Sequence, residues 1–453
     1  MRSYDEMLEN GREKDFNAGE YALKYFRIKP EDPGYHLPKE TPEEYSESLY
    51  EKYLANLKKF APHHLVEYEE LEKTYGLPPG SWSKKFYYNY LIHCFGENVE
   101  RPEHECTSWN VVKELTETHQ NFHHKNRDSN SKNIVLLHRA VPGKYAFTAI
   151  ADRAVFYANC GMNEMGLAVS MNSGDETAEY NLSGFSTPLM ARILLEECAT
   201  GEEAIAKLKE LLESGAYFHG KKGSIWHITD PDNAYVAEHN AKHIAVHKVT
   251  HGIGIRANTW EYPEMIPYSD NTLENRLNSI TRAQSVRRIV MDEGWQCHRK
   301  VRLQDMFAGA RCRTFCDTGR APCAKNTNSA TTITLDKEFP RFLSTAWFAP
   351  GPPRHTVFIP VPMAVEKLPD ELLDGSFCDG IFARAEKTGL DVPLFGVLAL
   401  EEELISTQLT VTEKARLLLR EGKEKEAEEL LKETFRKNWE KIKNAEFPVK
   451  GML

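Results

Sequence analysis

The spacing of apolar residues changes period at residue 106, and any fold for this chain must accommodate that change. Ahead of it the pattern is helical. Thr41, Pro42, Glu43 and Glu44 form a helix start: a cap, a proline in the first turn and two acids that suit the dipole. Tyr45, Leu49, Tyr53 and Leu57, with Tyr50 and Leu54 beside them, then make one apolar stripe. A second helix is expected from Pro62 to Tyr75, stopped by Gly76, and a third after Ser81 carrying Phe86, Tyr90 and Leu91. Behind residue 106 the period is that of strands. Segments 106–113, 133–140, 145–151 and 154–160 are rich in β-branched, aromatic and small residues, and GMNEMG at 161–166 reads as a tight turn into a strand over 167–171. Helices follow at 187–199 and 201–213, with Thr200 as cap and Gly215 as stop. Strands follow near 224–229, 234–239, 243–248 and 252–257, then a helix over 273–292 and strands near 330–335, 342–347 and 356–360. This order suits an α+β fold: two antiparallel sheets with helices packed outside them. The tail from Thr412 to about Asn444 is helical and charged, with many Glu–Lys neighbours four apart. It reads as a helical hairpin docked on the body or as part of a homo-oligomer contact.

The length of 453 residues allows one large core or two to three domains. We expect a helical segment 1–105, a body 106–400 and a charged helical extension 401–453. A net charge of −10 argues against nucleic acid or an anionic membrane as partner. No apolar run approaches the ~18 residues of a membrane span. The start, MRSYDEMLENGREKD, lacks the apolar stretch of a signal peptide, so a cytoplasmic protein is expected. Nine cysteines make no disulfide framework at this length. Cys312, Cys316 and Cys323 are spaced C-x3-C-x6-C, which is not a zinc spacing even with His298 recruited, and they read as reduced thiols near a loop. No metal or cofactor is expected.

Cys106, in PEHECTSWN, poses the chemical question. A thiol with a pKa near ~8.5 needs a base or a positive neighbour to act as a nucleophile. A histidine is one solution, but CTSW matches the papain motif only superficially, the upstream Gln-x-Gly is absent, and no histidine sits in a partner motif. The other solution is self-supplied. If the bond from Glu105 to Cys106 is cut, the new α-amino group, with a pKa near ~7.7–8.0, lies beside the thiol and takes its proton. The 105 leading residues would then be a propeptide.

Several spaced elements carry a resemblance. CTSW at 106–109, KNRDS at 125–129, GMNEMGLAVSMNSG at 161–174, IRANTW at 255–260, SITRAQSVRRIV at 279–290, and APCAKNTNSATTITLD with STAWFAPGPP within 321–353 occur in order. Together they resemble the acyl-coenzyme A:6-aminopenicillanate acyltransferase family, which is related to the choloylglycine hydrolases. These are N-terminal-nucleophile hydrolases, and the resemblance implies a four-layer αββα sandwich with a helical propeptide, cut immediately before the cysteine, whose two pieces stay associated. It implies Cys106 as nucleophile and Asp128 as the aspartate that contacts its amino group. It implies Asn172 and Asn258 as oxyanion-hole asparagines and Arg282, with Arg276 in reserve, as the active-site arginine. Lys125 stands where the family has Arg or Gln, and Glu105 where it usually has Gly. Lys125 and Trp109 are taken as substrate-binding residues.

The expected activity is cleavage of a linear amide C–N bond, or transfer of its acyl group, through a Cys106 thioester. The partner is then a small-molecule amide or acyl donor. Two other readings stay open: an unprocessed Cys–His peptidase or amidase, and a catalytically silent scaffold.

Overall fold

The computed structural model describes residues 18–25, 47–84, 87, 106–153, 155–292, 298–313, 321–389 and 392–445. Glu105, Cys316, the helix start at Thr41 and the expected third-helix residues Phe86, Tyr90 and Leu91 lie outside them. The first described elements are helices α1 (Ala18–Tyr25), α2 (Glu47–Phe60) and α3 (Pro62–Tyr75). Pro62 opens α3, and Gly76 closes it with φ 63°, a left-handed turn that glycine adopts without cost.

Among the described residues thirteen strands then form two sheets. One has the order β10-β1-β2-β11-β12-β13: β1 (Thr107–Val111), β2 (Phe122–Asp128), β10 (Ile253–Arg256), β11 (Thr327–Thr334), β12 (Thr345–Ala349) and β13 (Ile359–Pro362). The other is a meander in chain order: β3 (Ile134–Arg139), β4 (Phe147–Asp152), β5 (Cys160–Asn163), β6 (Ala168–Glu176), β7 (Lys222–Thr229), β8 (Ala234–His239) and β9 (Ile244–Lys248). Every pairing is antiparallel. The sheets meet face to face through β1 and β2 against β6 and β7, and β11 against β5.

Helices cover both outer faces. α4 (Thr187–Glu197) and α5 (Gly201–Glu213) lie on the meander, and α6 (Leu273–Arg287), α7 (Leu303–Ala310), α9 (Phe395–Arg420) and α10 (Glu424–Lys443) lie on the other sheet. Together with α8 (Ser376–Thr388) these complete a four-layer αββα sandwich. The stripe on α2 (Tyr50, Tyr53, Leu57, Phe60) shares one continuous core with α4, α5 and the outer face of the meander. Burial of those side chains, at ~1.5–3 kcal/mol each, holds the N-terminal helices to the body without any need of the connecting chain.

Several boundaries differ from those expected. The strand expected at 154–160 is instead Cys160–Asn163, so the turn begins later, and Gly166 supplies its positive φ of 87°. Gly161 lies inside that strand, where an added Cβ would come within 2.6 Å of Ala149. The helix expected at 273–292 ends as an α-helix at Arg287 and continues as one π turn, Arg288–Asp292. The division expected at residue 400 falls inside α9, which begins at Phe395, so the C-terminal hairpin starts earlier than its charged segment. Arg311 fastens that hairpin to the body through a buried pair with Glu401 at 2.6 Å.

Candidate active site

Cys106 stands one residue ahead of β1 and is buried. β1 is a central strand, paired with β2 on one side and β10 on the other. Thr107 lies opposite Asn126 and Ser108 opposite Lys125. The sheet's alternation therefore aims Ser108, Asn110, His123 and Lys125 into the layer between the sheets. It aims Thr107, Trp109, His124 and Asn126 outward, beneath α6 and α7.

The inter-sheet layer has two halves. Between β3–β5 and the opposing sheet it is apolar, with Ile134, Leu136, Ile150 and Met162. Beside Cys106 it is polar. Lys125, 3% exposed, donates from Nζ to the carbonyl of Met171 and to Asn172 Oδ1 at 2.9 Å. Ser108 donates to the same Oδ1 at 2.7 Å. The ammonium needs an acceptor, which fixes the Asn172 amide with its oxygen toward Lys125. Its Nδ2 then donates to the carbonyls of Arg256 at 3.2 Å and Ala257 at 3.0 Å. Among the described residues Lys125 has no carboxylate partner. Behind it, His123 bonds Ser170 at 2.8 Å and Thr229 at 3.0 Å. Burial, and then Lys125, push the His123 imidazole down to about 3, so it adds no charge at neutral pH.

Arg282 reaches Cys106 from the opposite side. Its helix, α6, is capped by Thr272, which accepts from Asn275 N at 3.2 Å. Arg282 is 1% exposed. Nη1 donates to the Cys106 carbonyl at 2.7 Å and to Thr107 Oγ1 at 3.1 Å. Nη2 donates to Asn258 Oδ1 at 2.9 Å, and Nε to Asn278 Oδ1, one turn back, at 2.8 Å. Asn258 in turn donates from Nδ2 to the Ser173 carbonyl at 2.9 Å. Arg276, the reserve, faces Asp175 at 3.6 Å and takes no part in this network.

Asp128 ends β2, fully buried, and accepts from Thr327 Oγ1 at 2.5 Å. Cys106 and Asp128 thus leave the β1–β2 pair at the same end. Trp109 is placed elsewhere. Its ring is fully buried on the outer face of the sheet, stacked on His124 at 3.8 Å and donating to Met306 Sδ at 3.3 Å. That position makes it a core residue between sheet and α7.

The structure therefore shows two neighbouring hydrogen-bonded sets, one joining Cys106, Asn258 and Arg282 and the other Lys125, Asn172 and Ser108, with Asp128 held separately by Thr327. It adds Ser108, Ser173, Asn278 and Thr327, small polar residues whose types are too common in sequence to stand out. Cys312 and Cys323 are buried and joined by a backbone bond of 2.9 Å. Among the described residues, potential metal ligands come together elsewhere, at His63, His64 and Glu196. Arg139 and Arg192, paired to Glu67 and Glu196 there, already neutralise the two carboxylates. Among the described residues no helix is long and apolar enough to cross a membrane.

The four-layer αββα sandwich, with Cys106 at the head of a central strand, is the architecture that the resemblance to N-terminal-nucleophile amidases and acyltransferases implies. Within that class, residues 115–294 match the family model described as Acyl-coenzyme A:6-aminopenicillanic acid acyl-transferase, and the resemblance to that family is shown over those residues. The match spans under half of the chain and begins downstream of Cys106. No curated protein matches the chain. Among solved structures, the Caenorhabditis elegans N-acylethanolamine-hydrolyzing acid amidase ortholog superposes with a TM-score of 0.35 at 16% identity, covering 54% of this chain and 100% of that one. A mutant of conjugated bile acid hydrolase from Clostridium perfringens gives 0.38 at 13% identity, covering 60% and 94%.

Proposed function

We propose that the chain is an amide hydrolase or acyltransferase activated by its own cleavage between Glu105 and Cys106. The observation that carries this reading is the Arg282 bridge, which ties the Cys106 carbonyl to Asn258 through one buried guanidinium. Before cleavage, the thiol attacks the carbonyl of Glu105; the C–N bond breaks as the thioester forms, which frees the Cys106 α-amino group, and water then hydrolyses the thioester to release the Cys106 thiol and the Glu105 carboxylate. After cleavage, that amine takes the thiol proton and the sulfur attacks an amide carbonyl. The C–N bond breaks as the proton passes to the leaving amine, and water or a second amine resolves the acyl-thioester.

Roles follow from the hydrogen bonds. Asn258 retains one amide hydrogen beyond its bond to Ser173, which supports its role as the side-chain donor to the oxyanion. Asn172, its nitrogen turned to two backbone carbonyls, orders Lys125 and the end of β10. Giving up one of those bonds would let it join the oxyanion hole. Lys125, a cation with neutral acceptors only, favours negative charge developing nearby or receives an anionic group of the substrate. Asp128 orients the amine. The substrate is a small acyl amide or acyl donor, and the two pieces stay together through the shared core.

Intact-mass measurement with amino-terminal sequencing tests this. A fragment 106–453 is expected, bound to the N-terminal piece, and Cys106→Ala is expected to abolish both the cut and amide turnover. A fully active preparation that begins only at Met1 would remove the self-supplied base.

A further inference from the structure

We propose that Thr327 is a positioning residue that sets the Asp128 carboxylate against the α-amino group of Cys106. This rests on the self-cleavage reading above, and it assigns a residue on a distant strand to the same step.

The pairing of β2 with β11 is irregular at one point. Ser329 lies opposite Arg127, yet Thr327 lies opposite Asp128, so Asn328 is an extra residue in the ladder. A bulge of this kind turns the flanking side chain to a new direction, and bulges concentrate beside active sites. Here it brings the Thr327 hydroxyl onto the Asp128 carboxylate. The bulged residue is itself tied down, with Asn328 Nδ2 donating to the Ser131 carbonyl at 2.7 Å.

The direction of the Thr327–Asp128 bond is fixed by a second contact. Ala324 N donates to Thr327 Oγ1 at 2.8 Å, which occupies an acceptor site on the hydroxyl. The hydroxyl hydrogen has two acceptors, Asp128 Oδ1 at 2.5 Å and the Pro322 carbonyl at 3.5 Å, and the shorter, charge-assisted bond to the carboxylate is the stronger. Neither residue can drift, because Thr327 is 1% exposed and Asp128 0%. The loop that carries this arrangement is anchored on β2 as well. Asn126 Nδ2 donates to the carbonyls of Ala310 at 2.9 Å and Pro322 at 2.8 Å, and Ser129 N donates to Asn326 O at 2.9 Å.

Because Thr107 and Asn126 are the last pair of the β1–β2 ladder, Cys106 and Asp128 both lie just beyond it, at the same end. A carboxylate there favours the protonated form of a neighbouring amine. Its placement therefore sets the pH at which the amine becomes free to accept the thiol proton.

The test compares three variants of the full-length chain. Thr327→Val and Thr327→Ala remove the hydroxyl, and Thr327→Ser keeps it. p-Nitrophenyl hexanoate serves as acyl donor, with Cys106→Ala as background, and the cut is followed by intact mass. The hydroxyl-free variants are expected to lose roughly 10-fold in kcat, the scale of losing an orienting partner, with little change in KM. Their acidic limb of kcat/KM should move to lower pH. Thr327→Ser should restore both rate and profile. Equal losses in Ser, Val and Ala with an unmoved profile would make Thr327 a packing residue and overturn the proposal. So would wild-type rates in the Val variant, or failure of both hydroxyl-free variants to fold. If Cys106→Ala consumes the ester as fast as wild type, the Cys106 reading itself fails. If wild type acylates at Cys106 and the Val variant matches it, only the Thr327 assignment falls.

Discussion

The cluster between α3 and α4 and the layer around Cys106 are both buried and both polar, but they treat charge differently. In the first, Arg192 holds Glu67 with two bonds of 2.9 Å and Glu196 with one of 2.7 Å, while Arg139 adds 2.8 Å to Glu67. Two cations meet two anions. Burial pushes the Glu67 carboxyl up, but Arg192 and Arg139 override it and hold it well below the usual carboxylate range. Burial likewise opposes, and Arg192 and His63 outweigh it, so that Glu196 falls to about 2. In the second region the Lys125 ammonium meets only a carbonyl and an amide oxygen. A matched cluster is built to stay as it is and staples the N-terminal helices to the body. An unmatched cation leaves electrostatic work undone, which an anion formed in the reaction can complete.

The largest expected effect tests the matched side. Glu67→Ala leaves Arg192 and Arg139 facing each other in a buried site. Loss of one partner of such a pair costs about 3–5 kcal/mol. Chemical denaturation should show that loss, and the N-terminal piece should separate from processed protein on gel filtration. A loss under about 1 kcal/mol would mean the cluster contributes as little as an exposed pair.

Lys125→Met makes the converse test. It removes a charge that has no partner and keeps the volume of the stem. Stability should hold within about 1 kcal/mol, because desolvation of the ammonium is relieved as two hydrogen bonds are lost. Turnover should fall by about 10²-fold, the loss seen when one stabilising donor is removed. Wild-type turnover would assign Lys125 to the fold and remove the distinction between the regions. Arg282→Lys should cost a similar factor in turnover, since one ammonium cannot span Cys106, Asn258 and Asn278 together.

The two regions also differ in how far they could be read from sequence. The motifs named Cys106, Asp128, Asn172, Asn258 and Arg282; Arg282 ties Cys106 to Asn258, Asn172 accepts from Lys125, and Thr327 holds Asp128. The strands between them were legible only where apolar residues marked them. β2, FHHKNRD, was missed as a strand because its side chains are polar on both faces and find polar partners across the sheets. α6 reads falsely in another way. Its buried face holds Ser279 and Arg282, whereas Leu273, at 72% exposed, and Leu277 lie outside. His63 gives no local sign of its place in the charge cluster, because its partner Glu196 lies 133 residues away on α4. Thr327 had no local signal, since its role depends on a bulge and on a partner 199 residues away.

The smallest effect concerns protons at the matched cluster. His64 is 1% exposed, with Nδ1 3.2 Å from Glu67 Oε2 and no hydrogen-bond partner on Nε2. Burial, then Arg192, hold its imidazole well below the usual histidine range, against the pull of Glu67 and Glu196. The folded chain therefore keeps His64 neutral while the unfolded chain takes up a proton below a pH of about 6.5. Stability that is fully present above that pH falls as the pH drops through it, because the unfolded state binds the extra proton. Glu67 and Glu196, with lowered pKa values, add a second loss that begins only below about 4.5. Between pH 7 and 5.5 the His64 contribution amounts to about 1 kcal/mol. His64→Gln should flatten that interval of the stability–pH curve and leave the decline below 4.5 in place. The comparison is sharpened by reading turnover in the same variant. A change confined to stability keeps the cluster structural, whereas a shifted pH–rate profile would connect it to the chemistry at Cys106.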